Sequence, residues 1–281
     1  MGKAKKPPPP PPQPPQHVMH AVDFLNIYTD KSSDGLRVDA EHQAKADASA
    51  QLIVEWAGKC DLNRGDLGNV GVVKTLVALM EVGSTRAQRD HATHALALLV
   101  FNNPIVYGGA KAYMPEFVAF DNVAAVVAAD GVAPLVRCLS DSSSSQRQRE
   151  HAATALSCVA NNTDRRTAVA SAGAIPALLA LARNGLSGAP ESALLTRHAV
   201  TALGSTCFCH EANQAKAASL GATPLLEQLA EGGVDRGGPP GDIAAPPGSG
   251  VSPALRQAAA YALRNLSSVA SFNVPAPPAP A

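Results

Sequence analysis

Apolar residues recur along this chain at helical spacing. Ala21, Phe24, Leu25 and Tyr28 fall three and four positions apart and predict one amphipathic helix. Ala44 to Trp56, with Leu52, Ile53 and Trp56, predicts a second. From Gly71 onward two short patterns alternate. The first is a glycine leading an apolar run: Gly131-Val132-Ala133-Pro134-Leu135-Val136, Gly173-Ala174-Ile175-Pro176-Ala177-Leu178-Leu179 and Gly221-Ala222-Thr223-Pro224-Leu225-Leu226, with Gly71-Val72-Val73-Lys74-Thr75-Leu76-Val77 as a degenerate copy. The second is rich in alanine: His91-Ala92-Thr93-His94-Ala95-Leu96, His151-Ala152-Ala153-Thr154-Ala155-Leu156, His198-Ala199-Val200-Thr201-Ala202-Leu203 and Ala258-Ala259-Ala260-Tyr261-Ala262-Leu263.

Each pair of patterns reads as one structural unit. The glycine ends a short helix, and the proline three residues later sits in the first turn of the next, where its missing amide donor costs nothing. The Leu/Val pattern makes one buried helix. The Ala-rich segment makes another, whose small side chains admit close neighbours. Neither helix buries its apolar face alone. Gly131, Gly173 and Gly221 stand 42 and 48 residues apart, and a period of this length predicts an all-α stack of units, an α-solenoid, in place of a globule. The helices before Gly65 read as a lead-in over residues 17–66 that covers the first face of the stack, with Trp56 in its core.

Composition narrows the function classes. Hydrophobic residues make up 46% of the chain but aromatic residues only 4%, so the core is Ala, Leu and Val, which suits closely packed helices. Lys plus Arg and Asp plus Glu number 23 each, which leaves no global positive field for nucleic acid. Apolar runs stop short of the roughly 18 residues that a membrane span needs. Neither a nucleic-acid nor a membrane partner is expected. The five cysteines (Cys60, Cys138, Cys158, Cys207 and Cys209) are odd in number and scattered. With no signal peptide read at the start, they predict a reducing compartment: the cytoplasm, with the nucleus and cytoskeletal or ciliary structures as further locations. Gly2 suits a myristoylation signal, but Lys6 stands where Ser or Thr is needed, so lipidation is not expected. The proline run Pro7 to Pro12, continued by Pro14 and Pro15, predicts a disordered or polyproline II tail over residues 1–16. That tail is either a solvated spacer or, over residues 7–15, a docking peptide for an aromatic groove of SH3, WW or profilin type.

The two recurring signatures resemble armadillo repeats. The run from Asn162-Thr163-Asp164-Arg165-Arg166 through Gly173-Ala174-Ile175-Pro176-Ala177-Leu178-Leu179 is similar to that family's junction between a third helix and the next repeat's first two helices. The resemblance covers roughly Leu67 to Phe272 and implies a right-handed superhelix of about four repeats over residues 67–273. Insertions are expected near 104–121 and, rich in Gly and Pro, at 232–252, with a disordered end at 274–281.

In armadillo proteins the third helices line a concave groove that holds an extended peptide. Carried over residue by residue, the resemblance puts three positions of each third helix on that face: His91, His94 and Leu98; His151, Thr154 and Cys158; His198, Thr201 and Ser205; Ala258, Tyr261 and Asn265. Nuclear-import members typically carry Trp and Asn at the last two positions. Here Tyr261 and Asn265 alone approach that pair, so recognition of basic nuclear-localisation peptides is not expected. His91, His151 and His198 share one repeat position. They are either a pH-responsive ladder that engages acidic peptides or a semi-exposed polar site inherited by duplication, the second being favoured.

Chemistry is weakly supported. Cys207-Phe208-Cys209-His210 is the densest group of metal-type residues, but it lacks a second ligand pair, and Cys207 falls where Ala160 stands in another repeat. Packing is the better account of it. The serine run Ser142 to Ser145 reads as a loop with no nucleophile elbow, and Gly237, Gly238 and Gly241 are interleaved with prolines. No catalytic residue, cofactor or metal is assigned. The expected function is that of a non-enzymatic scaffold or adaptor binding a protein segment on its curved surface, with the convex face or a larger assembly equally compatible. Two alternatives stand beside it. Arg149 to Leu156 and Arg197 to Leu203 resemble the armadillo halves of plant-type U-box ligases, which suggests a substrate-recognition adaptor for ubiquitin transfer. The other is a structural component of a cytoskeletal or ciliary assembly.

Overall fold

A computed structural model describes residues 13–33, 39–101, 121–187, 193–231 and 251–267. Every regular element among them is helical. The chain divides into two compact units, Met1–Cys158 and Val159–Ala281.

The first unit contains α1 Gln16–Ser33, α2 Ala40–Lys59, α3 Asp61–Asn69, α4 Val72–Val82, α5 Arg86–Val100, α6 Asn122–Ala128, α7 Val132–Ser140 and most of α8 Gln146–Ala160. A short first helix, a second helix and a longer third helix make one repeat, seen in α3–α5 and again in α6–α8. Helix α4 buries Val73, Leu76, Val77 and Met80, and α5 buries Ala92, Ala95, Leu96 and Leu99, each an apolar stripe at the helical period. A fully buried leucine such as Leu96 stabilises the fold by about 1.5–3 kcal/mol over an exposed one.

The lead-in is itself a repeat without its first helix. Helix α1 packs on α4 and α2 on α5, second helix on second and third on third. Helix α3 straddles the expected boundary at 66/67 and packs on both α4 and α5, so the repeats begin near residue 61. Trp56, expected in the core, is only partly buried: the inward stripe of α2 is Ala46, Ala50, Ile53 and Ala57. The Trp56 ring meets the edge of His17 at 6.5 Å and lies 4.9 Å from Lys59 Nζ. The tail also stops earlier than expected. Pro14 is buried, and the Pro15 carbonyl accepts from the Val18 and Met19 amides as α1 begins. Residues 13–16 are therefore ordered, whereas the Pro7–Pro12 run lies outside the described residues.

The second unit continues through α9 Thr163–Ser171, α10 Ala174–Arg183, a 3-10 turn Asn184–Ser187, α11 Ala193–Cys207, α12 Glu211–Ser219, α13 Ala222–Glu231 and α14 Pro253–Ser267. Helices α10 and α13 pack on α11 and α14 respectively, and α11 lies against α14. Gly204 lets that last pair approach closely, since a Cβ there would stand 3.0 Å from both Ala262 Cα and the Tyr261 ring. The bulk of the expected insertions and the final tail lie outside the described residues. Asp121 and Ser252, at the ends of the two insertions, cap α6 and α14 through Ala124 N (2.8 Å) and Leu255 N (3.2 Å).

The glycine corners form largely for the expected reason. Gly71, Gly173 and Gly221 have φ of 76°, 88° and 80°, the left-handed region open to glycine, and Pro134, Pro176 and Pro224 each occupy the third position of the helix that follows. The second corner differs. There Asp130 takes the left-handed conformation (φ 55°), and Gly131 does not. Glycine is needed at 131 for space, because a Cβ would meet Val77 Cγ2 at 2.9 Å and Val126 at 3.0 Å.

Side chains of the first helices close the ends of the third helices, whose last carbonyls have no partner within the helix. In the first unit Asn122 Nδ2 donates to the Leu99 carbonyl (3.0 Å) and the Arg64 carbonyl (3.1 Å). In the second, Asn213 Nδ2 donates to Thr206 (2.8 Å) and Arg166 (3.3 Å), while Arg166 Nε donates to Ala160 (2.9 Å). One amide from the next repeat's first helix thus ties a repeat's third helix to its own first helix.

Candidate functional site

The candidate positions lie on the third helices, and local sequence explains how α5 and α8 are seated. Both begin with a Gln-Arg-acid-His run, Gln88 to His91 and Gln148 to His151. The glutamines turn inward: Gln88 is 0% and Gln148 2% exposed. The arginines fold back over the preceding corner. Arg89 donates to the Gly83 carbonyl at 2.7 Å and Arg149 to the Asp141 carbonyl at 2.8 Å. Thr85 caps α5 in a reciprocal box with Gln88, and the Ser145 hydroxyl accepts from Gln148 N at 2.8 Å, so the serine run supplies a helix cap.

Once Gln and Arg are spent in this way, the histidines remain at the surface, partly exposed. The rings of His94 on α5 and His151 on α8 stack in parallel, 4.0 Å between centroids and 7° between planes. Burial holds the His94 imidazole below its ordinary value, and the positive influence of His91 and Arg147 adds to that. His91 Nδ1 is buried without a hydrogen-bond partner. Thr154 donates its hydroxyl back to the Glu150 carbonyl (2.9 Å). Cys158 is partly exposed, yet burial of its sulfur pushes the thiol up to about 11, so it is a poor nucleophile at neutral pH.

In the second unit His198 and Thr201 are partly exposed on α11, and Thr201 donates to the Arg197 carbonyl at 2.9 Å. Burial first, and then Arg197, keep His198 below its ordinary value. Ser205 and Asn265, carried over as surface positions, are interior instead, 3% and 5% exposed. Asn265 Nδ2 donates to the Gly204 carbonyl at 3.1 Å, so it fastens α14 to α11 in the way a peptide-gripping asparagine would hold its ligand. The close approach at Gly204 is what draws it inward.

The Cys207–His210 group does not converge on a metal. Cys207 is fully buried at the end of α11, its thiol pushed up to about 12 by burial. His210 caps α12, with Nδ1 accepting from Asn213 N (3.3 Å), while Nε2 pairs with Thr167 Oγ1 (2.9 Å). Among the described residues no three His, Cys, Asp or Glu side chains lie close enough to hold a metal ion. No single described helix is long and apolar enough to cross a membrane. A cleft of ≈ 370 Å³ in the first unit is lined by Met80, Arg89, Pro134, Arg137, Cys138 and Gln148 among others, and none of the candidate positions borders it. Its cations are engaged, Arg89 with Gly83 and Arg137 with Glu81. Burial raises the Cys138 thiol.

Sequence reasoning passed over Gln88, Gln148, Asn122 and Asn213. The repeated Gln-Arg-acid-His run was a signal for the first two. The asparagines stand nine and eight residues before their glycine corners, and Arg64 and Arg166 seven before theirs, so no single repeat position reveals them.

Comparison with known proteins supports the repeat reading. An armadillo/beta-catenin-like repeat matches residues 120–157, which holds α6, α7 and most of α8. No curated protein matches the sequence. Among solved structures, a designed armadillo repeat protein superposes with a TM-score of 0.61 at 18% identity, covering 88% of this chain and 81% of its own. A second designed armadillo repeat protein, in complex with a (KR)4 peptide, gives 0.60 at 19% identity, covering 89% and 84%. An engineered protein gives 0.62 at 20% identity, covering 90% of this chain and 48% of its own.

Proposed function

We propose that this chain, whose fold is of the armadillo type and which carries one matching armadillo repeat, acts as a non-enzymatic scaffold that binds an extended segment of another protein along its third helices. The observation that carries this reading is the partly exposed polar side chains on the third helices of each unit, His91, His94, His151 and Thr154 in the first and His198 and Thr201 in the second, above interior alanines and leucines. The peptide-bound designed relative supports the mode of binding. It does not supply the ligand, since a basic peptide has no matching acidic row among these positions. Affinity rests on a few anchors along the row and little on total area. The engaged cations and raised thiol of the cleft support a binding role over a catalytic one. Five unpaired cysteines support the cytoplasm as the place where it works. The proline tail, shortened to residues before Pro14, serves as a second contact for an aromatic groove.

Affinity capture of partners, followed by hydrogen exchange on the complex, tests this reading. Protection is expected on α5, α8 and α11, and His198→Ala with Thr201→Ala should weaken capture. Protection confined to the second helices α4, α7, α10 and α13 would defeat it.

A further inference from the structure

The α5–α8 pair of imidazoles specifies the chemistry of a partner. The Gln and Arg of each Gln-Arg-acid-His run have structural duties. Glu150 is 9% exposed and accepts from Gln146 (2.9 Å), while Asp90 is partly exposed with one carboxylate oxygen buried. The surface above them carries His91, His94, His151 and the exposed Arg147, all neutral or positive. Charged groups on the other packed helices are engaged elsewhere or exposed. On α2, Asp47 takes the Thr85 hydroxyl (2.8 Å) and Lys45 lies 4.4 Å over the Phe24 ring. On α3 Arg64 pairs with Asp61, and burial raises the Asp66 carboxyl toward its neutral form. On α4 Glu81 pairs with Arg137, and Lys74 is exposed. None of these carboxylates is among the charges that act on His94, which are His91 and Arg147.

We infer that the stacked His94–His151 pair, with Arg147, is a docking point for an acidic protein segment, and that a bound carboxylate draws a proton onto the pair. This rests on the proposed third-helix binding face and names its ligand. A carboxylate placed at the edge of two stacked imidazoles makes a charge-assisted hydrogen bond once one ring is protonated, and it lowers the repulsion that burial and Arg147 otherwise impose on that proton. Binding therefore consumes a proton and strengthens in mild acid, while the peptide's own Asp and Glu, with ordinary values near 4, stay ionised.

The test measures fluorescence anisotropy of three labelled eight-residue peptides, (ED)4, (KR)4 and a neutral Gly/Ser peptide, with the full chain at pH 5.5, 6.5 and 8. The (ED)4 peptide should bind about tenfold more tightly at pH 5.5 than at 8. The double variant His94→Gln with His151→Gln should lose that gain, Arg147→Gln should weaken binding at every pH, and His20→Gln on exposed α1 should change nothing. Circular dichroism verifies that each variant is folded. If the double variant has unfolded, proton NMR of the parent decides, since the His94 and His151 ring signals should shift to higher pKa when (ED)4 is added. Binding of (ED)4 that ignores pH and both substitutions, ring signals unmoved by the peptide, or a preference for (KR)4 or the neutral peptide overturns this inference and leaves the binding face standing. No peptide bound at any pH, together with partner protection on the second helices, overturns both.

Discussion

Gln88 and Tyr28, 60 residues apart in sequence, share a 3.1 Å hydrogen bond closed to water. The same Gln88 oxygen accepts from Ser84 N at 2.9 Å, and its Nε2 donates to the Gln43 carbonyl at 3.1 Å. One fully buried amide thus joins α1, α2 and α5. Gln88→Ala removes the buried partner of the Tyr28 hydroxyl, which keeps Ser84 Oγ at 2.9 Å, together with the donor to the Gln43 carbonyl and the acceptor of Ser84 N, and a loss of about 2–3 kcal/mol is expected. Gln148, the counterpart on α8, has longer contacts, 3.3 Å to Thr93 Oγ1 and 3.4 Å to Cys138 Sγ. Gln148→Ala should cost less, about 1–2 kcal/mol. Urea denaturation ranks the two, and equal losses would show that the Tyr28 and Gln43 bonds add nothing.

The corners make a second prediction, with opposite signs at two equivalent places. Gly173 has φ 88° and open space around a would-be Cβ, so Gly173→Ala suffers only the left-handed penalty of about 1–2 kcal/mol. Asp130 already bears that penalty at φ 55°, and Asp130→Gly should recover about 0.5–1 kcal/mol. Thermal melts should move down for the first and up for the second. A lower melting temperature for Asp130→Gly would show that its side chain contributes more than its backbone costs.

Most of the fold was legible because the repeat wrote the same physics several times. Glycine before an apolar run, proline in its first turn and an Ala-rich third helix are local requirements, and they recur from Gly71 to Leu263. The lead-in was read as two helices, but α3 was not separated from it, since Asp61 to Asn69 lacks the apolar period that marks the other elements. The candidate site was less legible. Spacing places His91, His94 and His151 at matching positions of two third helices, yet it does not show that His94 and His151 stack, because that depends on the stagger between α5 and α8. Nor could it show that Ser205 and Asn265 turn inward, which follows from how closely Gly204 lets α14 approach.

Asn213, on α12, holds the end of α11, the helix against which α14 packs. Its Nδ2 holds the Thr206 carbonyl at 2.8 Å and the Arg166 carbonyl at 3.3 Å, with Arg166 itself only 4% exposed. Asn213→Ala leaves the Thr206 carbonyl without this donor at the end of α11, where no helical partner exists, and removes the tie to the Arg166 carbonyl on α9. A loss of about 1–3 kcal/mol is expected. Asn213→Asp should be at least as damaging, since it removes the same donor and sets a carboxylate against two carbonyl oxygens. Hydrogen exchange should show faster opening of α12 in both variants; an unchanged α12 would mean that the side chain is dispensable there.

The final prediction concerns pH. Burial depresses the His94 and His198 imidazoles below the ordinary 6.5, each aided by a neighbouring cation. Above 6.5 both folded and unfolded chains carry these rings neutral, so their contribution to the pH dependence is flat. As pH falls below 6.5 the unfolded chain takes up the protons first, and the folded state loses stability until its own depressed values are passed. The denaturation midpoint should therefore decline between about pH 6.5 and 5, in the window set by ordinary imidazole titration. His94→Gln and His198→Gln should each flatten part of the decline while changing little at pH 8. The effect is modest because both rings are partly exposed to solvent. An acidic segment docked on the His94–His151 pair should reverse the sign for His94, because the ligand raises the value that burial lowers. Midpoints measured with saturating (ED)4 should then decline less through the same window in the parent protein, with the His198 part remaining, and a parallel decline with and without the peptide would separate the titration of His94 from ligand binding.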